Sequence, residues 1–166
     1  MKLTIYRIFS FLLVPVAVLF ALSVLVLIGV ALSNPAMLLP LFLLACIVIY
    51  SFASLNFLIK GIDGKKYFRK SSKDWLKVNA YASIVFALII ISECLVFIIR
   101  PEVMQEVMQQ VKQSSTQLNV SETDIKNYLN TTSYFFLVYS IVLFLHILMS
   151  FQYVKQYNYL FQSENN

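Results

Sequence analysis

The sequence predicts an all-α polytopic membrane protein, with four transmembrane helices in an antiparallel bundle and a small helical extracytoplasmic cap. Three observations predict it. Of 166 residues, 60% are apolar and 13% charged, against about 45–50% and about 25% in a soluble domain. The apolar residues fall in four blocks, each longer than the roughly 20 residues that cross a hydrocarbon core of about 30 Å. The alternating pattern of a membrane β-barrel is absent. Backbone groups in lipid must be satisfied within their own segment, so the blocks are read as helices.

The first helix is expected over about 8–32, because Ile8 to Leu32 holds no charge. "MKLTIYR" before an apolar run has the outline of a signal peptide, and "ALS" before Asn34 that of a cleavage site. The run is much longer than the roughly 7–15 residues of a signal core, which predicts retention as a membrane helix. Pro15 is placed to kink it. In "SNPA", Asn34-Pro35 stops the helix and makes a tight turn. The second helix, about 36–59, is therefore the antiparallel neighbour of the first. The loop "KGIDGKKYFRKSSKDWLK" offers glycines at 61 and 64 for a turn and Ser71 or Ser72 as an N-cap. Asp74 would then sit in the first turn of the third helix, about 76–99, with Trp75 as an interfacial anchor.

The outer loop, 101–131, has room for structure of its own. Pro101 suits the first turn of a helix. In "PEVMQEVMQQVKQ", Val103, Val107 and Val111 recur every four residues beside Met104 and Met108, giving one apolar stripe. "SSTQLN" interrupts it, and "SETD" opens a second short helix as a capping box carrying Ile125, Tyr128 and Leu129. A helical hairpin is expected, either separate or as an extension of the third and fourth helices beyond the membrane, its stripe packed against its own partner helix. "NVS" and "NTT" match the glycosylation acceptor pattern. The fourth membrane helix follows over about 134–154. The chain, 1–166, reads as a single domain without internal repeats.

Direction follows from the basic residues. Lys2, Arg7, Lys60, Lys65, Lys66, Arg69, Lys70, Lys73, Lys77 and Lys155 fall on one side of the blocks, and only Arg100, Lys112 and Lys126 on the other. The positive-inside rule places both termini and the 60–77 loop in the cytoplasm. A bacterial cytoplasmic membrane is the expected location. Lys65, Lys66, Arg69 and Lys70 are candidate contacts for anionic lipid.

Several classes of function find no support in the residues. No basic, aromatic-interleaved soluble face exists for nucleic acid. Cys46 and Cys94 lie inside apolar blocks and form no metal-ligand or redox pattern. Neither a zinc set, a nucleophile–base pair nor a Gly-rich phosphate loop occurs, and one histidine cannot supply both axial ligands of a bis-histidine haem. No catalytic residue, metal or cofactor is therefore assigned.

Two ionisable groups lie inside the blocks, Glu93 and His146, and such groups are functional candidates by default. Asn79, Ser83, Ala87, Glu93 and Cys94 project to one side of the third helix, which predicts that Glu93 faces the bundle. Thr132, Tyr139, His146 and Tyr153 are spaced by seven and share a face of the fourth. Glu93 lies roughly 10 Å inside Arg100 at 1.5 Å per residue, at nearly the depth of Tyr139. Tyr139 is the expected hydrogen-bond partner of Glu93, then His146 through water, then Arg100. The leading functional reading is a non-catalytic accessory subunit that binds a membrane-protein partner or a second copy of itself. The runner-up is a small oligomeric transporter or channel with Glu93, Tyr139 and His146 along its route.

Overall fold

The computed structural model describes residues 2–114 and 121–161, with side chains from 3–112 and 121–161. The elements are α1 (Lys2–Ser33), a 3-10 turn (Pro35–Met37) and α2 (Leu38–Asn56), which runs into a π-helical turn (Phe57–Asp63). They continue with α3 (Lys70–Ile99), α4 (Pro101–Ser114), α5 (Glu122–Gln156) and a 3-10 turn (Asn158–Leu160). Among the described residues there is no strand, and the fold is all-α.

Four helical stretches are long and apolar enough to cross a membrane: Leu3–Ser33, Pro35–Asp63, Lys70–Ile99 and Glu122–Gln156. Only 11–33% of each apolar window is buried within the chain. Outward-facing Leu25, Val26 and Leu32 on α1 are 68%, 70% and 85% exposed. Apolar surface of that extent is covered by lipid or by another protein. These are the features of a small integral membrane protein.

α1, α3 and α5 exceed their expected bounds, since polar turns carry them past the apolar blocks, whereas α2 stays within its bounds and is continued by the π-helical turn. α1 runs unbroken through Pro15. α3 starts at Lys70, so Ser71 and Ser72 lie inside the helix instead of capping it, and Asp74 lies beyond its first turn. The hairpin expected over 101–131 is present only in part as anticipated. Pro101 opens α4 after a one-residue break at Arg100, where proline's missing N–H costs nothing. Ser121 Oγ accepts the Asp124 N–H at 3.1 Å and donates to the Asp124 carboxylate at 2.7 Å. The helix that this cap opens is not short, because α5 continues to Gln156. The "SSTQLN" interruption after Ser114 and the "NVS" acceptor Asn119 lie outside the described residues.

The chain divides into two compact units, Met1–Phe86 with Val142–Asn166, and Ala87–Ile141. The first is a four-helix bundle of α1, α2, the start of α3 and the end of α5. Leu13, Ile47, Leu76, Ala80, Leu143 and Ile147 fill its core, each at most 2% exposed. One end is closed by the connection between α2 and α3 and by the chain after α5. There Phe57, Phe68 and Phe161 cluster, with ring centroids 5.3–6.3 Å apart. The Phe68 N–H donates to the Leu160 carbonyl at 2.7 Å, and Arg7 pairs with Asp63. Gly61 permits this closure, because a Cβ there would stand 2.9 Å from the Phe68 ring and 3.0 Å from that of Phe57. The turn ends with Lys65 at φ 50°, a left-handed conformation that glycine adopts more easily.

The second unit holds the end of α3, α4 and the start of α5. Of the α4 stripe, Met104 is buried and Val103, Val107 and Met108 are half-buried, while Val111 is exposed; Ile125 on α5 is buried. Lys112 pairs with Glu122 across the two helices. Cys94 Sγ donates to the Ser133 carbonyl at 3.4 Å, linking α3 to α5.

Candidate functional site

Polar side chains concentrate in the core of the first unit, around His146. Helical spacing gathers them. Tyr6 and Ser10 on α1 are four residues apart and share a face, as do Tyr50 and Ser54 on α2 and His146 and Ser150 on α5. All six are buried, and His146 is 0% exposed.

Both imidazole nitrogens are occupied. Tyr50 Oη lies 2.8 Å from Nδ1 and Ser10 Oγ lies 2.9 Å from Nε2. The Tyr6 ring stacks on the imidazole at 4.8 Å with 3° between planes, and its hydroxyl makes a long 3.5 Å bond to Ser150 Oγ. The direction of the chain can be worked out. Ser10 Oγ donates its one proton to the Tyr6 carbonyl at 2.8 Å, so it must accept from Nε2–H. None of these contacts supplies a carboxylate to balance a charge, which in such a site would be costly. In the neutral ring Nδ1 then carries no hydrogen and accepts from the Tyr50 hydroxyl. The bonds run from Tyr50 through His146 and Ser10 to the Tyr6 carbonyl, tying α1, α2 and α5 together.

The other expected site residues lie in the second unit and do not meet as anticipated. Tyr139 is buried, 6% exposed, on the face shared with His146. Glu93 is exposed. Among the described residues it makes no hydrogen bond to Tyr139 and no ion pair with Arg100, which is also exposed. The reason is angular. Ser83, Ala87 and Cys94 are buried as expected, but at about 100° per residue Glu93 projects roughly a quarter-turn from Cys94, at the rim of the packed face. A water-mediated link to His146 has no nitrogen left to use, since Tyr50 and Ser10 hold both.

Lys65, Lys66, Arg69 and Lys70 are all exposed on the connection between α2 and α3. Among the described residues no group of three or more His, Cys, Asp or Glu side chains is placed to hold a metal ion.

The partners of His146 were accessible to sequence reasoning. His146 lies nine residues inside Lys155 and Tyr50 ten inside Lys60, roughly 14–15 Å each at 1.5 Å per residue. Counting depth from the basic end would have set them level. Counting from the 101–131 loop instead directs attention to Tyr139.

Comparison with protein-family models, with curated proteins and with solved structures finds no match to this chain.

Proposed function

We propose that this protein is a non-catalytic, partner-binding subunit of a membrane assembly, with Glu93 at its contact surface. The observation that carries the reading is a carboxylate exposed on an apolar helix, six residues from its end at Ile99, with no ion pair or hydrogen bond among the described residues. Ser92 and Val96 are exposed beside it. A carboxyl group on such a surface is costly in lipid and is retained where a donor meets it. A second chain, either another membrane protein or a further copy of this one, supplies that donor.

The polar core of the first unit favours the same reading over transport. Its hydrogen bonds end at a helical carbonyl, which accepts a hydrogen bond but does not relay a proton. A histidine held at both nitrogens serves as interhelical glue. Both termini and the 60–77 connection face the cytoplasm in this reading, on the strength of the lysine and arginine distribution. The membrane is read as a bacterial cytoplasmic one.

A photo-reactive amino acid at Ser92 or Val96 tests the surface in native membranes. It should cross-link one defined polypeptide, whereas the same probe at Leu25 on α1 should give only lipid adducts. Equal yields at all three positions would sink the proposal.

A further inference from the structure

A groove in the first unit runs between the start of α3 and the end of α5, with a volume of about 390 Å³. Its walls are Lys73, Lys77 and Tyr81 from α3, and Phe151, Val154 and Lys155 from α5, with Asn158 beyond. Helical spacing divides the groove into a charged end and an aromatic end. Lys73, Lys77 and Tyr81 follow one another at intervals of four and form one stripe. On α5, Phe151 precedes Lys155 by four residues. All three lysines therefore lie toward the helix ends, with the Tyr81 and Phe151 rings, 5.2 Å apart, on the side of the apolar blocks.

None of the lining residues is acidic. Lys73 Nζ donates to Asn158 Oδ1 at 2.6 Å, a neutral partner that orients the ammonium group without cancelling its charge. Lys73 and Lys77 are half-buried and both line the groove. This differs from Lys65, Lys66, Arg69 and Lys70, which are exposed on the connection between helices.

We propose that this groove binds the headgroup of one anionic phospholipid, its phosphate among Lys73, Lys77 and Lys155 and its glycerol and upper acyl carbons along Tyr81 and Phe151. Charge complementarity selects an anion, and the aromatic end selects one that carries an apolar tail. Basic pockets between membrane helices are a recurring means of holding anionic headgroups. The site is independent of the proposed partner surface, which belongs to the other unit.

The test uses the full chain, delipidated in detergent and titrated with phosphatidylglycerol or with phosphatidylcholine of the same acyl chains, bound lipid being counted by native mass spectrometry. One phosphatidylglycerol should be retained in preference to phosphatidylcholine. K73Q/K77Q/K155Q should weaken it by about five-fold per lysine, on the order of a hundred-fold in all. K65Q/K66Q/R69Q/K70Q should bind like the wild type. Millimolar inorganic phosphate should not displace the lipid. Should the triple variant fail to fold, K155E, at an exposed position, should lose the lipid by itself. Equal retention of the two lipids, an unaffected triple variant or K155E, loss confined to the quadruple variant, or displacement by phosphate would each overturn the assignment.

Discussion

Replacing Tyr50 with phenylalanine removes one oxygen and otherwise keeps the shape of a fully buried side chain. The expected cost comes from what it leaves behind, an imidazole Nδ1 with no donor at a site where His146 is 0% exposed. Stranding a buried polar group costs about 1–3 kcal/mol, while hydrogen bonds between membrane helices average about 0.6 and reach about 1.7 kcal/mol. Tyr50→Phe should therefore destabilise by about 1–1.5 kcal/mol. The sharper expectation concerns the same change made after His146→Leu. Ser10 then keeps its bond to the Tyr6 carbonyl, and only the Tyr50 hydroxyl loses its acceptor. Removing that hydroxyl should cost nothing, or restore up to ~1 kcal/mol. The two backgrounds should thus differ by about 1–2.5 kcal/mol, above the ~0.5 kcal/mol within which independent sites add. Equilibrium unfolding of the four proteins in bicelles, titrated with a denaturing detergent, provides the comparison. Equal costs for Tyr50→Phe in both backgrounds would refute the assignment of the histidine as the tie between α1, α2 and α5.

Two further predictions concern the closed end and the direction of the chain. Gly61→Ala places a methyl group against Phe57 and Phe68, and overpacking of this kind costs about 1–3 kcal/mol. Proteolysis of the 64–69 connection should quicken in this variant, and an unchanged cleavage rate would show the aromatic closure to be dispensable. For the topology, Lys66→Cys and Gln105→Cys place exposed thiols on either side of the membrane, while Cys46 and Cys94 stay silent because they are buried. A membrane-impermeant maleimide applied to intact cells should label Gln105→Cys and should reach Lys66→Cys only after lysis; the reverse pattern would invert the orientation.

The four membrane helices were legible because their cause is local: an uncharged run of sufficient length has few other uses. The Ser121 cap was legible for the same reason, since Ser121 and Asp124 are neighbours in sequence. The limits of α3 and α5 were not, because Lys70 to Lys77 and Glu122 to Thr132 are polar yet helical, held by packing and capping rather than by hydropathy. Cys94 and Glu93 show how fine the angular reading must be. They are adjacent, and one is buried while the other is exposed. The polar site was half legible. His146 stood out as an ionisable group in an apolar helix, but its partners Ser10 and Tyr50 lie 136 and 96 residues away. A serine and a tyrosine in apolar helices draw little attention until something brings them to the same depth. The groove of Lys73, Lys77 and Lys155 was hidden for a related reason. In the sequence its lysines merge with a run of basic residues that reads as a topology signal.

Native mass spectrometry of the protein, gently extracted from its own membranes, tests the central claim most directly. A second polypeptide, or a second copy of this chain, should be present at fixed stoichiometry and should be lost when Glu93 is replaced by leucine. A lone chain that carries only lipid, identical in the wild type and in Glu93→Leu, would contradict it.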